Sequence, residues 1–381
     1  MVDVPAGDAV LVLRALSRAT RSRAELAEET GWSRNTVSSR LDALLDSGWV
    51  VESAEEQGGR GRPFVRYELN PQIALVYVAS FGWDQVNGAL CTVQGRVVAS
   101  ETLEFQVFDE YRATDFERIV DFTRTQAERL AAQAGVPASR IGVTVVGVPN
   151  PVANSTQLPS WTQIERSPGE FAARLGMPVI IENDVNLMAL GARRTDFPEA
   201  ESLIYVKCAS GIGAGIVLSG KLHRGINGLA GEIGHVPVAR AESRPCVCGN
   251  KGCLVEVAGV PAILQELQNS KPELQRPTLS DLERMVLAGD PVATSLLRRA
   301  GREIGEALVG VVTGLAPDVL VVSGAIANFG DHLITGVRES IVSKSLPRLS
   351  SGLRIEKRTR HRLAAVNGAA ELAVDALFPT P

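Results

Sequence analysis

The chain has 381 residues, 45% of them hydrophobic and 22% charged, with a formal net charge of −4. That length exceeds one ordinary core and predicts two or three globular domains. The negative balance argues against non-specific coating of nucleic acid, though not against one small DNA-reading domain. No stretch of eighteen apolar residues occurs, so no transmembrane helix is expected.

Met1-Val2-Asp3-Val4-Pro5 has neither the basic nor the apolar region of a signal peptide, so a cytoplasmic location is expected. An apolar helical pattern follows at Val10, Leu13 and Leu16. A second helix begins at Ser22, carries Leu26 and Ala27, and stops at Gly31, a natural C′ glycine. Ser33 is a good N-cap for a third. Val37, Leu41, Leu44 and Leu45 form its apolar face, and Arg34, Asn35, Ser38 and Ser39 lie off that face. Gly48 ends this helix, and strands at Trp49-Val50-Val51 and Phe64–Leu69 flank a polar tip.

This order predicts a winged helix-turn-helix over residues 1–70, with the third helix in the major groove of operator DNA. Arg34, Asn35, Ser38 and Ser39 are its candidate base-edge contacts. At the wing tip, Arg60-Gly61-Arg62-Pro63 fits a minor-groove contact through Arg60 and Arg62, and fits a solvated turn as well. The competing reading is a helical protein-interaction domain, since residues 1–70 hold nine arginines against eleven acids. Favouring DNA, the arginines gather at Arg34, Arg40, Arg60, Arg62 and Arg66, while Glu25, Glu28 and Glu29 sit on helix two.

From Ile73 onward, strand and helix alternate. Strands are expected at 75–80, 88–93, 97–103, 141–148 and 179–181, with a long amphipathic helix over 115–134 and another reaching about Arg193. A second set begins with a hairpin, 203–207 and 215–218, around the glycine-rich loop Ala209–Gly215. Helices follow near 256–268, 279–288 and 291–315, then a strand at 319–322, a helix, a strand at 353–357 and a last helix over 364–377. Two such halves suggest two α/β lobes around a cleft, with ligands at the carboxyl ends of strands, where Asn183-Asp184 and Gly211–Gly215 fall.

Within the second set, after its hairpin, stands Gly231-Glu232-Ile233-Gly234-His235, followed by Cys246-Val247-Cys248-Gly249-Asn250-Lys251-Gly252-Cys253. Three of the five cysteines fall in eight residues, close after a histidine. That is the ligand number of a closed tetrahedral zinc site. Glu232 and Glu256 bracket the cluster without being needed by a metal, so the loop is read as presenting Glu232, His235 and Glu256 to a small polar ligand. A zinc loop with a purely structural role is the alternative.

These residues carry a resemblance to the ROK family of repressors, open reading frames and sugar kinases. Residues 231–256 match its Gly-Glu-x-Gly-His, Cys-x-Cys-Gly-x-x-Gly-Cys and Leu-x-Glu pattern. Glu182-Asn183-Asp184-Val185-Asn186 resembles its Glu-Asn-Asp-x-Asn segment. Val148-Pro149-Asn150-Pro151-Val152 resembles its Val-Pro-Gly-Pro-Val turn, with Asn150 in place of glycine. The resemblance implies an α/β fold in which the winged domain precedes a two-lobed, actin-like (hexokinase-type) body over 71–381, with the zinc loop at about 231–256. It implies zinc on His235, Cys246, Cys248 and Cys253, and sugar hydroxyls held by Asn183, Asp184, Glu232, His235 and Glu256.

A family kinase needs Asp184 as general base and a phosphate loop, Asp-x-Gly-Gly-Thr, between the first two strands. The matching place reads Ser80-Phe81-Gly82-Trp83-Asp84, and Gly324-Ala325 replaces a nucleotide-side glycine pair. No enzyme activity is therefore expected, with Asp184 a vestigial base. The resulting expectation is a sugar-responsive regulator, most simply a repressor of carbohydrate uptake or catabolism genes, acting as a homodimer or higher homo-oligomer on operator DNA and released by a sugar or sugar derivative. An ATP-dependent sugar kinase with a DNA-binding appendage is the alternative.

Overall fold

The structure, a computed structural model, describes residues 5, 7–53, 65–82, 85–104, 108–109, 112–113, 116–149, 168–359 and 361–379. Arg60 and Arg62 of the wing tip, Trp83-Asp84, Asn150-Pro151-Val152 and the stretch 157–167 lie outside the described residues.

The first three helices are α1 (Ala9–Arg18), α2 (Arg23–Thr30) and α3 (Arg34–Asp46). Ser22 opens α2 with a reciprocal cap: its Oγ accepts from the Glu25 amide, and the Glu25 carboxylate accepts from the Ser22 amide. Gly31 closes α2 at φ 72°, and Ser33 caps α3 by accepting from the Thr36 amide. Three short strands, β1 (Arg21–Ser22), β2 (Val50–Glu52) and β3 (Arg66–Leu69), form an antiparallel sheet in the order β1-β3-β2. Leu13, Leu16, Leu26, Val37, Leu41, Trp49 and Tyr67 bury the joint between helices and sheet. The fold is a winged helix-turn-helix.

The described residues fall into two compact units, those within 1–149, 168–184 and 366–379, and those of 185–365. In the first unit the sheet comprises β4 (Leu75–Phe81), β5 (Gln85–Thr92), β6 (Val97–Glu104), β9 (Ile141–Val148) and β10 (Val179–Asn183). A short pair, β7 (Phe108–Asp109) with β8 (Arg112–Ala113), stands apart from it. The order is β10-β9-β4-β5-β6, with the hairpin strands antiparallel and β9 and β10 parallel to β4. Helix α4 (Phe116–Gln133) lies on β5, where Gly88 leaves room for the Gln126 side chain, and buried Tyr77 donates to Gln126 Oε1 at 2.7 Å. Helix α5 (Pro168–Leu175), absent from the sequence reading, precedes β10.

The second unit repeats this topology with β11 (Leu203–Cys208), β12 (Ile212–Leu218), β13 (Lys221–Leu222), β14 (Val319–Ser323) and β15 (Arg354–Lys357), ordered β13-β12-β11-β14-β15. Again two antiparallel pairings lead to two parallel ones. Around it stand α6 (Asp184–Thr195), which begins at the last residue of the first unit, and α7 (Val255–Ala258), α8 (Val260–Ser270), α9 (Leu279–Leu287), α10 (Pro291–Leu315), α11 (His332–Lys344) and α12 (Pro347–Gly352). The final helix, α13 (His361–Leu377), runs along the chain from residues of the second unit into the first. A twice-used five-stranded sheet of this kind, following a winged domain, is the α/β, actin-like architecture expected.

Two expected elements change. The glycine-rich loop shortens to 209–211, because β12 already starts at Ile212 and pairs with Cys208. A Cβ on Gly215 would lie 2.5 Å from the Val185 carbonyl oxygen and 2.6 Å from the Ala189 Cβ, so this glycine serves a strand pressed against α6. The helix expected over 256–268 divides at Gly259 into α7 and α8, because the Val260 amide donates instead to the Ala209 carbonyl at 3.0 Å.

Candidate functional site

Gly231 starts the central loop at φ 91°, and a Cβ there would sit 1.7 Å from the Ala214 carbonyl oxygen. Its own carbonyl accepts from the Ala214 amide at 2.8 Å. Gly234 approaches Ile212 as closely, a Cβ falling 2.3 Å from that carbonyl oxygen. Both glycines seat the loop on β12, which fixes where Glu232 and His235 emerge.

The loop then doubles back. Val238 donates to Gly252 and Leu254 to Val236, so the segment after His235 pairs with the one holding Cys253. Cys246 donates to Asn250 and Gly249 to Cys246, closing a tight knuckle around Cys248. The result brings His235, Cys246, Cys248 and Cys253 together, with all four ligand atoms within 4.8 Å of one another. Cys246 Sγ lies 3.5 Å from His235 Nδ1, and Cys248 Sγ lies 3.6 Å from Cys253 Sγ. A tetrahedral metal with bonds of about 2.3 Å to sulfur and 2.0 Å to nitrogen sets such pairs about 3.5 and 3.8 Å apart. The donor set therefore fits a metal ion.

Electrostatics favour the same use. Burial pushes the Cys246 thiol up to about 12 and raises Cys253 as well. Burial opposes ionisation of Cys248 too, but the Asn250 amide and the neighbouring thiols hold its value below that of a free thiol. Three thiols so close cannot all ionise without a countercharge, which a divalent cation supplies. Burial lowers His235, against the pull of Glu256, and so favours the neutral imidazole that ligates metals. Its other nitrogen, Nε2, is 3.9 Å from Glu232 Oε2. Glu256 stands on α7, its amide bonded to the Cys253 carbonyl at 3.1 Å.

Asn183 and Asp184 belong to the first unit, at the end of β10 and the first turn of α6. Both are buried, as is Glu182, whose Oε1 accepts from the Asn183 amide at 2.9 Å. Glu182 opens the Glu-Asn-Asp-x-Asn segment without a role assigned by the motif. At the end of β4, Phe81 turns into the core against Phe122, ring centroids 6.2 Å apart, and the Gly82 amide bonds to Gln85 at 2.7 Å.

In the winged domain, Arg34, Asn35 and Ser39 are exposed on the first turns of α3, and Ser38 is half-buried. Arg66, grouped above with the arginines that favour DNA binding, is used inside the domain. It donates to the Thr20 side chain and carbonyl and pairs with Glu25, leaving its side chain 13% exposed. Arg23 braces the helices similarly, bonding Asp42 on α3 and lying over the Tyr67 ring at 5.3 Å. Among the described residues no helix is long and apolar enough to cross a membrane.

With this geometry in place, comparison with known proteins is direct. Residues 80–376 match the ROK family and residues 3–61 the MarR family. The chain belongs to the ROK family, in the form that carries a MarR-type winged helix-turn-helix before the actin-like body. It is 24% identical to the xylose repressor of Bacillus subtilis (strain 168) over 377 residues, covering 96% of this chain and 94% of that one. Among solved structures it resembles a ROK family transcriptional regulator, a homologue of the Escherichia coli MLC protein, with TM-score 0.78, 22% identity and coverage of 97% and 96%. A ROK family glucokinase from Streptomyces griseus, solved with glucose and AMPPNP, matches with TM-score 0.64 and 22% identity, over 78% of this chain and 99% of that one.

Proposed function

We propose that this protein is a sugar-responsive, DNA-binding transcriptional regulator that acts as a repressor and is released from its operator by a sugar or sugar derivative. The observation that carries the reading is the union, in one chain, of a winged helix-turn-helix with a ROK body, at nearly full length with a protein named as a xylose repressor. Residues 1–70 are the DNA-binding domain and 71–381 the ligand-binding body. Arg34, Asn35, Ser38 and Ser39 meet the major groove, and Arg60 and Arg62 the minor groove or its phosphates. Asn183, Asp184, Glu232, His235 and Glu256 bind sugar hydroxyls, a reading that rests on the sequence motifs and on the emergence of Glu232 and His235 side by side. Carboxylates and an amide suit hydroxyls, being able to accept several hydrogen bonds each.

Zinc is the metal the donor set suits, through His235, Cys246, Cys248 and Cys253. It would fix the loop that carries Glu256 and orient the His235 ring. Such a regulator works in the cytoplasm as a homodimer, two winged domains on a pseudo-palindromic site. A ligand releases it by binding the DNA-incompetent state more tightly. Titrating operator affinity against hexoses, pentoses, amino sugars and short oligosaccharides tests this, and no change with any of them sinks it. Metal analysis should find one zinc per chain and none after Cys248→Ser; an unchanged content would return the cysteines to free thiols.

Asp184, at the first turn of α6, keeps a kinase reading in view. We infer that the chain is no kinase, because Ser80-Phe81-Gly82-Trp83-Asp84 supplies no counterpart of the phosphate loop. Sugar-dependent ATP consumption that disappears in Asp184→Asn would reverse this.

A further inference from the structure

The ten residues between His235 and Cys246 contribute no metal ligand, yet two of their arginines converge on one acid. Arg240 and Arg244 both reach Oε1 of Glu266 on α8, and Arg299 of α10 takes Oε2. Glu266 is 15% exposed, so three guanidiniums enclose it. Arg244 makes a second bond: Nη1 donates to the Glu256 carbonyl at 2.6 Å while Nη2 turns to Glu266 at 3.5 Å. Its own carbonyl accepts from Gly252 at 2.9 Å, next to Cys253.

We propose that the Arg240–Arg244–Arg299 knot on Glu266 is a second, metal-independent fastener of this loop, and that Arg244 is a positioning residue for Glu256. A metal would tie the loop at His235 and at the three cysteines, while backbone pairing joins the intervening segment only to residues 251–254 of the same loop. The knot binds that segment to α8 and α10, elements that carry no metal ligand. The planar fork of a guanidinium holds the Glu256 carbonyl and the Glu266 carboxylate in fixed relation, which the freely rotating donors of a lysine ammonium on its flexible stem do not. Glu256 is thus held from both sides, its amide by Cys253 and its carbonyl by Arg244. This deepens the sugar-binding reading of Glu256 and, as regards affinity, rests on it.

The test uses the full-length protein, Arg244→Lys and Glu266→Gln. Metal analysis should show all three retaining equal zinc. Hydrogen exchange over 254–260 should stay slow in the unmodified protein after chelation, and become fast in both chelated variants. Sugar affinity of the zinc-loaded Arg244→Lys should fall about tenfold, the loss expected for one charge-assisted hydrogen bond. The proposal is overturned if chelation alone frees 254–260 in the unmodified protein, or if the variants exchange as slowly as it does. If the unmodified protein binds no sugar of the panel, the sugar reading falls, and exchange still decides the fastener.

Discussion

Arg14 on α1 and Phe378, the residue after α13, are joined although 364 positions separate them. Arg14 Nη1 donates to the Phe378 carbonyl at 2.6 Å, and its Nη2 meets Asp375 at 2.6 Å. The Phe378 ring is fully buried and stands edge-on to Trp49, centroids 5.9 Å apart. The winged domain is therefore closed by the far end of the chain. Phe378→Ala should destabilise the first unit by about 3–5 kcal/mol, and Arg14→Ala by about 1–3 kcal/mol through an orphaned carbonyl. Asp375→Ala should change little, because that carboxylate is 63% exposed. Denaturant unfolding of the three variants checks the ranking, and equal effects would refute the anchor.

Gly231→Ala meets two penalties at once, a left-handed φ of 91° and the Ala214 carbonyl oxygen where the methyl must go. The loss should be at least about 3 kcal/mol, with reduced zinc content. Gly289→Ala is the control, having φ 74° and open space, and should lose only about 1 kcal/mol. Thermal melts separate the two; a Gly231→Ala protein as stable as the control would remove the seat we assign to this glycine.

Glu339 on α11 is paired with Arg298 and Arg302 of α10, which hold its carboxyl down to about 2. A carboxylate depressed in the folded state stabilises above its ordinary value of 4.5, and that contribution is lost as pH falls toward about 2. The stability difference between the unmodified protein and Glu339→Gln should therefore be full at neutral pH and shrink to nothing across that acid window. A difference independent of pH would assign the effect to packing.

Arg34→Ala should weaken operator binding, with a smaller loss on unrelated DNA if the side chain reads a base. Replacing Arg60 and Arg62 together by alanine should lower the salt slope by up to about two units if both meet phosphates. An unchanged slope would make the wing tip a solvated turn.

Much of the fold was legible because local rules agreed with it. Ser22, Gly31 and Ser33 punctuate the helices where their side chains or backbone freedom are needed, the continuous apolar runs of β4 and β9 are buried on both faces, and the 3.6-residue pattern survives in α10. The failures share one cause. Gly213 and Gly259 read as a loop and as helix interior, but Gly213 pairs with Lys207 inside β12, and after Gly259 the Val260 amide turns to Ala209. By sequence Arg66 counts among the arginines favouring DNA, but Thr20 and Glu25 claim it.

The sequence by itself determined the family, the winged domain and the composition of the histidine–cysteine cluster, because cap residues, hydrophobic period and cysteine spacing are short-range signals. Only the tertiary structure decided that Cys246 faces Nδ1 of His235 while Nε2 turns to Glu232, that Arg244 and Glu266 fasten the loop, and that Phe378 completes the winged domain. Those relations join residues far apart in the chain. They depend on backbone approach and side-chain direction, which spacing does not encode.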